Sequence, residues 1–329
     1  MTRADDTAVV LRRIAEETDC NGPLPLIALL PTHPEFDSEE VAASAAGLPV
    51  LRFNFLDEPE LVWPEEAQRP QIPCRALHRG FMLSHERYTS LFLSLRQQGV
   101  HLVTPPDACE RAHYYPLALT YALAPISPRA CWAAVQQPAD VRTAHFERLA
   151  YCTSQWGCEA VMMKDFVKSA KGQAQRFMRI TEMEDLAELA CELVQVRGSA
   201  FNRGIVVKEL KPLMHYRAHG EPVTNEFRLF YGRGELLEPP CPNSYQGTST
   251  EKPPAAMVQA TTRAARALRS PYVSIDLAES ADGSWFCLES GDGGFSGPAT
   301  TQDLEAHWAA LKACFEGVPF GTDIYSTLL

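Results

Sequence analysis

Residues 270–294 read SPYVSIDLAESADGSWFCLESGDGG, two alternating apolar and polar runs on either side of an Asp-Gly pair. Asp282-Gly283 is a pair that tolerates the positive φ values of a type I′ turn, so the stretch reads as a β-hairpin. A two-residue turn there pairs Ala281 with Ser284 and sets Asp276 directly opposite Glu289. Opposed side chains share a face with Cβ atoms roughly 4.5–5.5 Å apart, where like charges destabilise the sheet. A divalent cation reverses that penalty. Hard oxygen donors with few neutral ligands suit Mg²⁺, which keeps several waters and usually takes phosphate oxygens from a nucleotide as well. Asp292, in the turn expected after Glu289, offers a third carboxylate.

Working outward from the hairpin, two other strands each carry a lysine on an apolar face. In CEAVMMKDFVK (158–168) alternation groups Lys164 with Ala160, Met162, Phe166 and Lys168, and an ammonium in that setting needs an anion. A lysine snorkelling from a strand edge is the competing reading. Lys168 opens the short loop SAKG, in which Gly172 permits folding over phosphates and Lys171 adds charge. Lys208 repeats the pattern in GIVVKEL, facing the same way as Val206 and Leu210 while Glu209 faces the other. In TNEFRLFYG the residues Glu226, Arg228 and Phe230 share a face, and Arg228 is either an ion-pair partner of Glu226 or a guanidinium aimed at a phosphoryl group. Two lysines on separate strands, a small-residue loop and a facing carboxylate pair together describe a nucleotide and its metal.

The whole chain bounds this reading. Its 329 residues make two or three domains. A net charge of -11 excludes generic phosphate-backbone binding as the main activity. No run of 18 apolar residues occurs, and the acidic start MTRADDTAVVLRRIAEETD has no apolar core of a signal peptide, so a cytoplasmic protein is expected. The ten cysteines are scattered without a CxxC pair and read as small buried hydrophobes. His215 and His219 lie in MHYRAHGEP, read as loop and without the Glu of an HExxH helix, which argues against zinc.

Residues 24–104 alternate strands (PLIALLP, PVLRFNF, VHLVTP) with helices (SEEVAASAAG and SHERYTSLFLSLRQQG, with Ser84 as N-cap), an α/β layer interrupted by the Pro-rich stretch 57–73, read as an exposed loop. A helix is expected over 107–123 and a domain junction at APISPRACW. Arg79, just after a strand in ALHRGFML, is the N-terminal residue singled out, as an arginine reaching toward phosphate or a substrate carboxylate; Arg129 is a second.

The combination of LHRGFML, MMKDFVKSAKG, VVKEL, NEFRLFYG and LESGDGGFSG resembles the ATP-grasp fold, and within it the clade named for its arginine and paired lysines. The resemblance implies an α+β fold in which two subdomains clamp ATP, preceded by a small α/β domain: residues 1–125, then a central subdomain with the phosphate loop at 126–204, then a C-terminal subdomain with the metal site at 205–329. It implies that Lys164 contacts phosphate, that Lys168, Lys171 and Gly172 form a lid, and that Lys208, Glu209 and Leu210 meet adenine. Asp276 and Glu289 would hold Mg²⁺, Arg228 would steady the transferred phosphoryl group, and Arg79 would assist. Many relatives end this site with Glu, one spacer and Asn, whereas here Ser290, Gly291 and Asp292 follow Glu289, so Asp292 either replaces the amide ligand or only shapes the turn.

The activity so implied is that of an ATP-dependent carboxylate-amine or thiol ligase working through an acylphosphate. A small-molecule kinase and a non-catalytic ATP-binding regulator are the alternatives. Expected partners are small-molecule or peptide carboxylates and amines, with no nucleic acid and no membrane, and a homo-oligomer is left open.

Overall fold

The computed structural model of the chain describes residues 23–54, 60–65, 69–135, 141–167, 175–218, 221–242, 252–299 and 302–318. The chain divides into two compact units, one of residues 1–80, 90–103 and 304–329 and the other of 81–89 and 104–303. Among the described residues no helix is long and apolar enough to cross a membrane.

In the first unit the apolar run at its start becomes β1 (Leu26–Pro31), buried at every position. Helix α1 (Asp37–Ala45) places Asp37, Glu39 and Glu40 in its first turn, where the helix dipole favours acids. With β2 (Val50–Asn54), β3 (Glu60–Val62), β4 (Cys74–His78) and, beyond helix α2 (His85–Gln97), β5 (Val100–Leu102), β1 builds a sheet of order β3-β2-β1-β4-β5. All its pairings are parallel except β2 with β3. Burial of the whole of β1 and β4 is what a parallel sheet covered on both faces demands. The Pro-rich stretch departs from its reading as loop: Glu60–Val62 extends and pairs with β2, an edge strand too short to show a period in the sequence. Ser84 caps α2 as expected, its Oγ accepting from Arg87 N at 3.3 Å.

In the second unit the single helix expected over 107–123 is broken. Helix α3 (Pro106–His113) ends at an extended Tyr114, and a short α4 (Tyr115–Ala118) restarts the chain. Pro116 explains the break, since inside one continuous helix its ring would clash with the carbonyl of Ala112 and it has no N–H to donate. Next come β6 (Ala130–Ala134), α5 (Glu147–Ser154), β7 (Val161–Asp165), α6 (Leu186–Arg197) and β8 (Gly204–Glu209), with β6-β8-β7 forming an antiparallel sheet. The segment read as a domain junction thus contains a strand, β6. Val161, Met163, Ile205 and Val207 turn to a core shared with Leu149, Leu186, Ala190 and Leu193. Their alternates Met162, Lys164 and Lys208 face away from it.

The histidine segment read as loop is also a hairpin, β9 (His215–Ala218) with β10 (Glu221–Thr224). It is followed by β11 (Glu226–Gly232), β12 (Glu235–Leu236), β13 (Cys241–Pro242), α7 (Ala255–Leu268), β14 (Tyr272–Glu279) and β15 (Trp285–Asp292), whose sheet runs β12-β11-β14-β15 with β13 also on β11. Phe227, Leu229, Ile275, Leu277 and Cys287 pack with Ala264, Ala265 and Leu268 of α7. Arg228 and Asp276, on alternate positions, face the other way.

The β14–β15 hairpin reaches its expected pairing by an unexpected route. Ser280 N donates to Ser284 O at 2.7 Å and Gly283 N to Ser280 O at 2.8 Å, so the loop is Ala281-Asp282-Gly283 rather than a two-residue turn. Gly283, at φ +80°, takes the left-handed position that such three-residue loops place after a type I turn. This shifts the register by one: Glu279 faces Trp285 and Leu277 faces Cys287. A β-bulge between Asp276 and Leu277 then shifts it back, and Asp276 does face Glu289. The bulge also sets orientation. Cys287 points into the core, and in a regular strand Glu289 would follow it; the extra residue, Leu288, turns Glu289 onto the face of Asp276, the re-aiming that bulges provide.

Nothing lies within 4 Å of a Cβ added at Gly283, so Gly283→Ala incurs backbone strain alone. The expected loss is about 1 kcal/mol of unfolding free energy. An unchanged urea midpoint would contradict the turn geometry.

Candidate active site

Two sheets of the second unit turn their polar alternates toward one cleft of about 400 Å³, whose walls include Lys164, Lys208, Arg228, Asp276 and Glu289. Residues far apart in sequence meet there as ion pairs. Lys164 Nζ, in a residue only 4% exposed, donates to Glu289 Oε2 at 2.8 Å. Arg228 lies beside Asp276 in the β11–β14 register and forks onto it, Nε to Oδ1 and Nη2 to Oδ2, both at 2.8 Å, while Nη1 donates to Gly297 O at 2.6 Å. The carboxylate that Arg228 forks onto is Asp276, not the Glu226 named in one of its two expected readings. Lys208 Nζ donates to the carbonyl of Leu288, the bulge residue.

Tyr115 is a residue the sequence reading missed. Its ring lies under both ammoniums, 5.3 Å from Lys164 Nζ and 4.6 Å from Lys208 Nζ, a cation–π platform that no periodicity announces. Burial, together with the charge of Lys164, lowers the pKa of Lys208 to about 8. Glu209 faces the opposite way from Lys208, as expected. There its carboxylate accepts from Arg129 Nε at 2.9 Å and lies 2.8 Å from Lys211 Nζ. Arg129, then Lys211, hold its pKa down to about 2 against the effect of burial. Leu210 lines the cleft beside it.

Asp292 does not join the Asp276–Glu289 pair. It pairs with Val273, on the face that carries Ile275 into the core, and so points away from Asp276 and Glu289. Its Oδ1 accepts from Gly294 N at 2.8 Å, capping the turn of 3₁₀ helix at Gly293–Phe295. The reason is parity: three residues separate it from Glu289 along a continuing strand, and an odd step crosses the sheet. The position on the face of Asp276 and Glu289 is Gly291. Arg79, in the other unit, also differs from expectation. It is 1% exposed and forked onto Glu39, Nε to Oε2 and Nη2 to Oε1, both at 2.9 Å, so the carboxylate it meets belongs to the protein and not to a substrate. Lys168, Lys171 and Gly172 lie outside the described residues.

Residues 155–311 match the family model of an ATP-grasp domain, the third family of the clade named for its arginine and paired lysines. Residues 155–311 are an ATP-grasp domain. Solved ATP-grasp structures share its fold. The D-cycloserine synthetase DcsG superposes with a TM-score of 0.58 at 12% identity, over 88% of this chain and 100% of that one. The ATP-grasp ligase PsnB, complexed with minimal precursor, Mg and ADP, gives 0.52 at 15%, over 88% and 98%. The D-alanyl-alanine synthetase A of Vibrio cholerae gives 0.52 at 13%, over 93% and 99%. No curated protein matches the sequence.

For an ATP-grasp protein the donor set is economical. Among the described residues no three His, Cys, Asp or Glu side chains gather as a metal site. Two opposed carboxylates, both already matched by cations, nonetheless fit Mg²⁺, which commonly takes one or two protein carboxylates and completes its shell with water and substrate phosphates.

The lowered pKa of Lys208 fixes the sign of a pH effect. Between about 8 and the ordinary 10.5 the folded state binds fewer protons than the unfolded one, so the cost of burying this charge is present below pH 8 and fades as pH rises. Relative to Lys208→Met, the wild-type protein is expected to gain unfolding free energy between pH 7.5 and 10.5. Urea titrations showing no relative gain would contradict the burial of this ammonium.

Proposed function

We propose that this protein is an Mg²⁺-dependent, ADP-forming ligase that joins a carboxylate to an amine or a thiol through an acylphosphate. The observation that carries the reading is the cleft in which the cations Lys164, Lys208 and Arg228 face the Asp276–Glu289 pair. In this reading residues 126–204 and the chain from 205 onward are the two jaws. The site is neutralised from within: Glu289 meets Lys164 and Asp276 meets Arg228. A nucleotide polyphosphate suits the cations and a dication the carboxylates, so Mg·ATP exchanges partners without stranding a buried charge.

Lys164 binds the phosphates, and Lys208, whose ammonium stands over the same Tyr115 ring, joins it there rather than meeting adenine as the resemblance implies. Asp276 and Glu289 would hold Mg²⁺, which would supply charge neutralisation of the phosphates. The substrate carboxylate attacks the γ-phosphorus, and Arg228, once released from Asp276, meets the charge that develops on the transferred group. The nucleophile then displaces phosphate from the acyl carbon. No protein nucleophile is needed, and catalysis is positioning and electrostatics. The similar structures named above include a ligase of D-alanine and one complexed with a precursor, which supports amino acids or peptides as the substrate class.

Incubation with Mg·ATP, pooled amino acids and hydroxylamine should yield ADP and the hydroxamate of the true carboxylate. ADP with a stable phosphorylated product, or no turnover with any carboxylate, would defeat the ligase reading. Asp276→Asn and Glu289→Gln should each lower turnover by roughly 10²-fold or more in protein that remains folded by circular dichroism. Wild-type rates in either would remove the metal assignment.

A further inference from the structure

A second chamber of about 220 Å³ adjoins the cleft and shares with it Val167, Arg228, Asp276 and Glu289. Its remaining wall is of a different chemistry: no lysine, the hydroxyls of Ser274 and Ser296 hydrogen-bonded to one another at 2.5 Å, the ring of Phe295, the bare Cα of Gly291, and the imidazole of His113. His113 ends α3, is 8% exposed, and packs its ring 5.4 Å from that of Phe295. Gly291 keeps the space beside it open, because a Cβ there would lie 3.7 Å from His113 Nδ1 and 2.9 Å from Ser296 Oγ.

The volume admits a group the size of one amino-acid residue, not a nucleotide. The hydroxyls of Ser274 and Ser296 and the carboxylates of the shared wall are acceptors for the N–H groups of an amine. An ammonium cannot attack an acyl carbon until it has lost a proton, and among the described lining side chains His113 carries the one imidazole.

We propose that this chamber receives the amine substrate and that His113 accepts its proton. The inference rests on the ligase reading and deepens it. The ammonium gives one proton to the imidazole; the free amine attacks the acylphosphate carbon, the C–N bond forms and the C–O bond to phosphorus breaks. Phosphate leaves carrying the second nitrogen proton, and the imidazolium returns its own to solvent.

Hydroxylamine separates this role from a structural one, since it is largely unprotonated near neutrality and needs no base. The test gives wild type and His113→Asn Mg·ATP with pooled amino acids, measuring amide products without hydroxylamine and hydroxamate with it. The ratio of amide to hydroxamate should fall by roughly 10²-fold in the variant. An unchanged ratio, whether both products fall together or neither falls, overturns the proposal. In Gly291→Ala the added methyl should raise the KM for the amine roughly ten-fold or more above any change in the KM for ATP; equal changes overturn the placement of the amine. Wild-type protein that forms no hydroxamate with any carboxylate removes the ligase reading itself, and the proposal with it.

Discussion

The ammonium of Lys164 is buried on a strand, and a charge so placed is tolerated only beside an anion. Glu289 is that anion, and it comes from the other sheet of the unit. Much of the cleft follows from this pair. Glu289 must face β7, so β15 must bulge at Leu288; the bulge leaves the carbonyl of Leu288 for Lys208, and Tyr115 fills the space beneath the two lysines. Such pairs add little stability, because desolvation offsets most of the attraction and apolar residues of similar volume commonly do as well. Their persistence in the heart of the cleft reflects what the charges can be exchanged for.

The polar groups of the cleft were largely legible because strand alternation is a strict rule. Lys164, Lys208, Arg228 and Asp276 each stand on the face that counting by twos assigns, opposite the core residues Met163, Val207, Leu229 and Ile275. Glu289 was placed correctly for a reason the sequence did not contain: a turn one residue longer than expected and a bulge of one residue cancelled. Asp292 exposes the weakness of the same method. Taken as part of a turn, it was free to point at the metal, but the strand continues through it and an odd step sends it to the apolar face.

What escaped the sequence shares a cause. The forked pair of Arg79 with Glu39 joins residues on a loop and a helix, and no local pattern reports a partner 40 positions away. Tyr115 and His113 sit where Pro116 breaks what otherwise reads as one helix, so their faces could not be assigned from a 3.6-residue period. Strands β3, β6 and β9 have few residues or lie among prolines and histidines, and tertiary pairing rather than propensity makes them strands.

Gly291 stands two residues beyond Glu289, the position at which the resemblance would place asparagine. An amide there would reach for the cation, and its volume would come out of the space in front of His113. In the proposed reading the glycine turns a coordinating position into room for a guest. Grip on the proposed metal and breadth of the proposed acceptor pocket would then be governed by one residue and oppose each other. An amide in place of Gly291 would hold such an ion more firmly and admit only smaller nucleophiles.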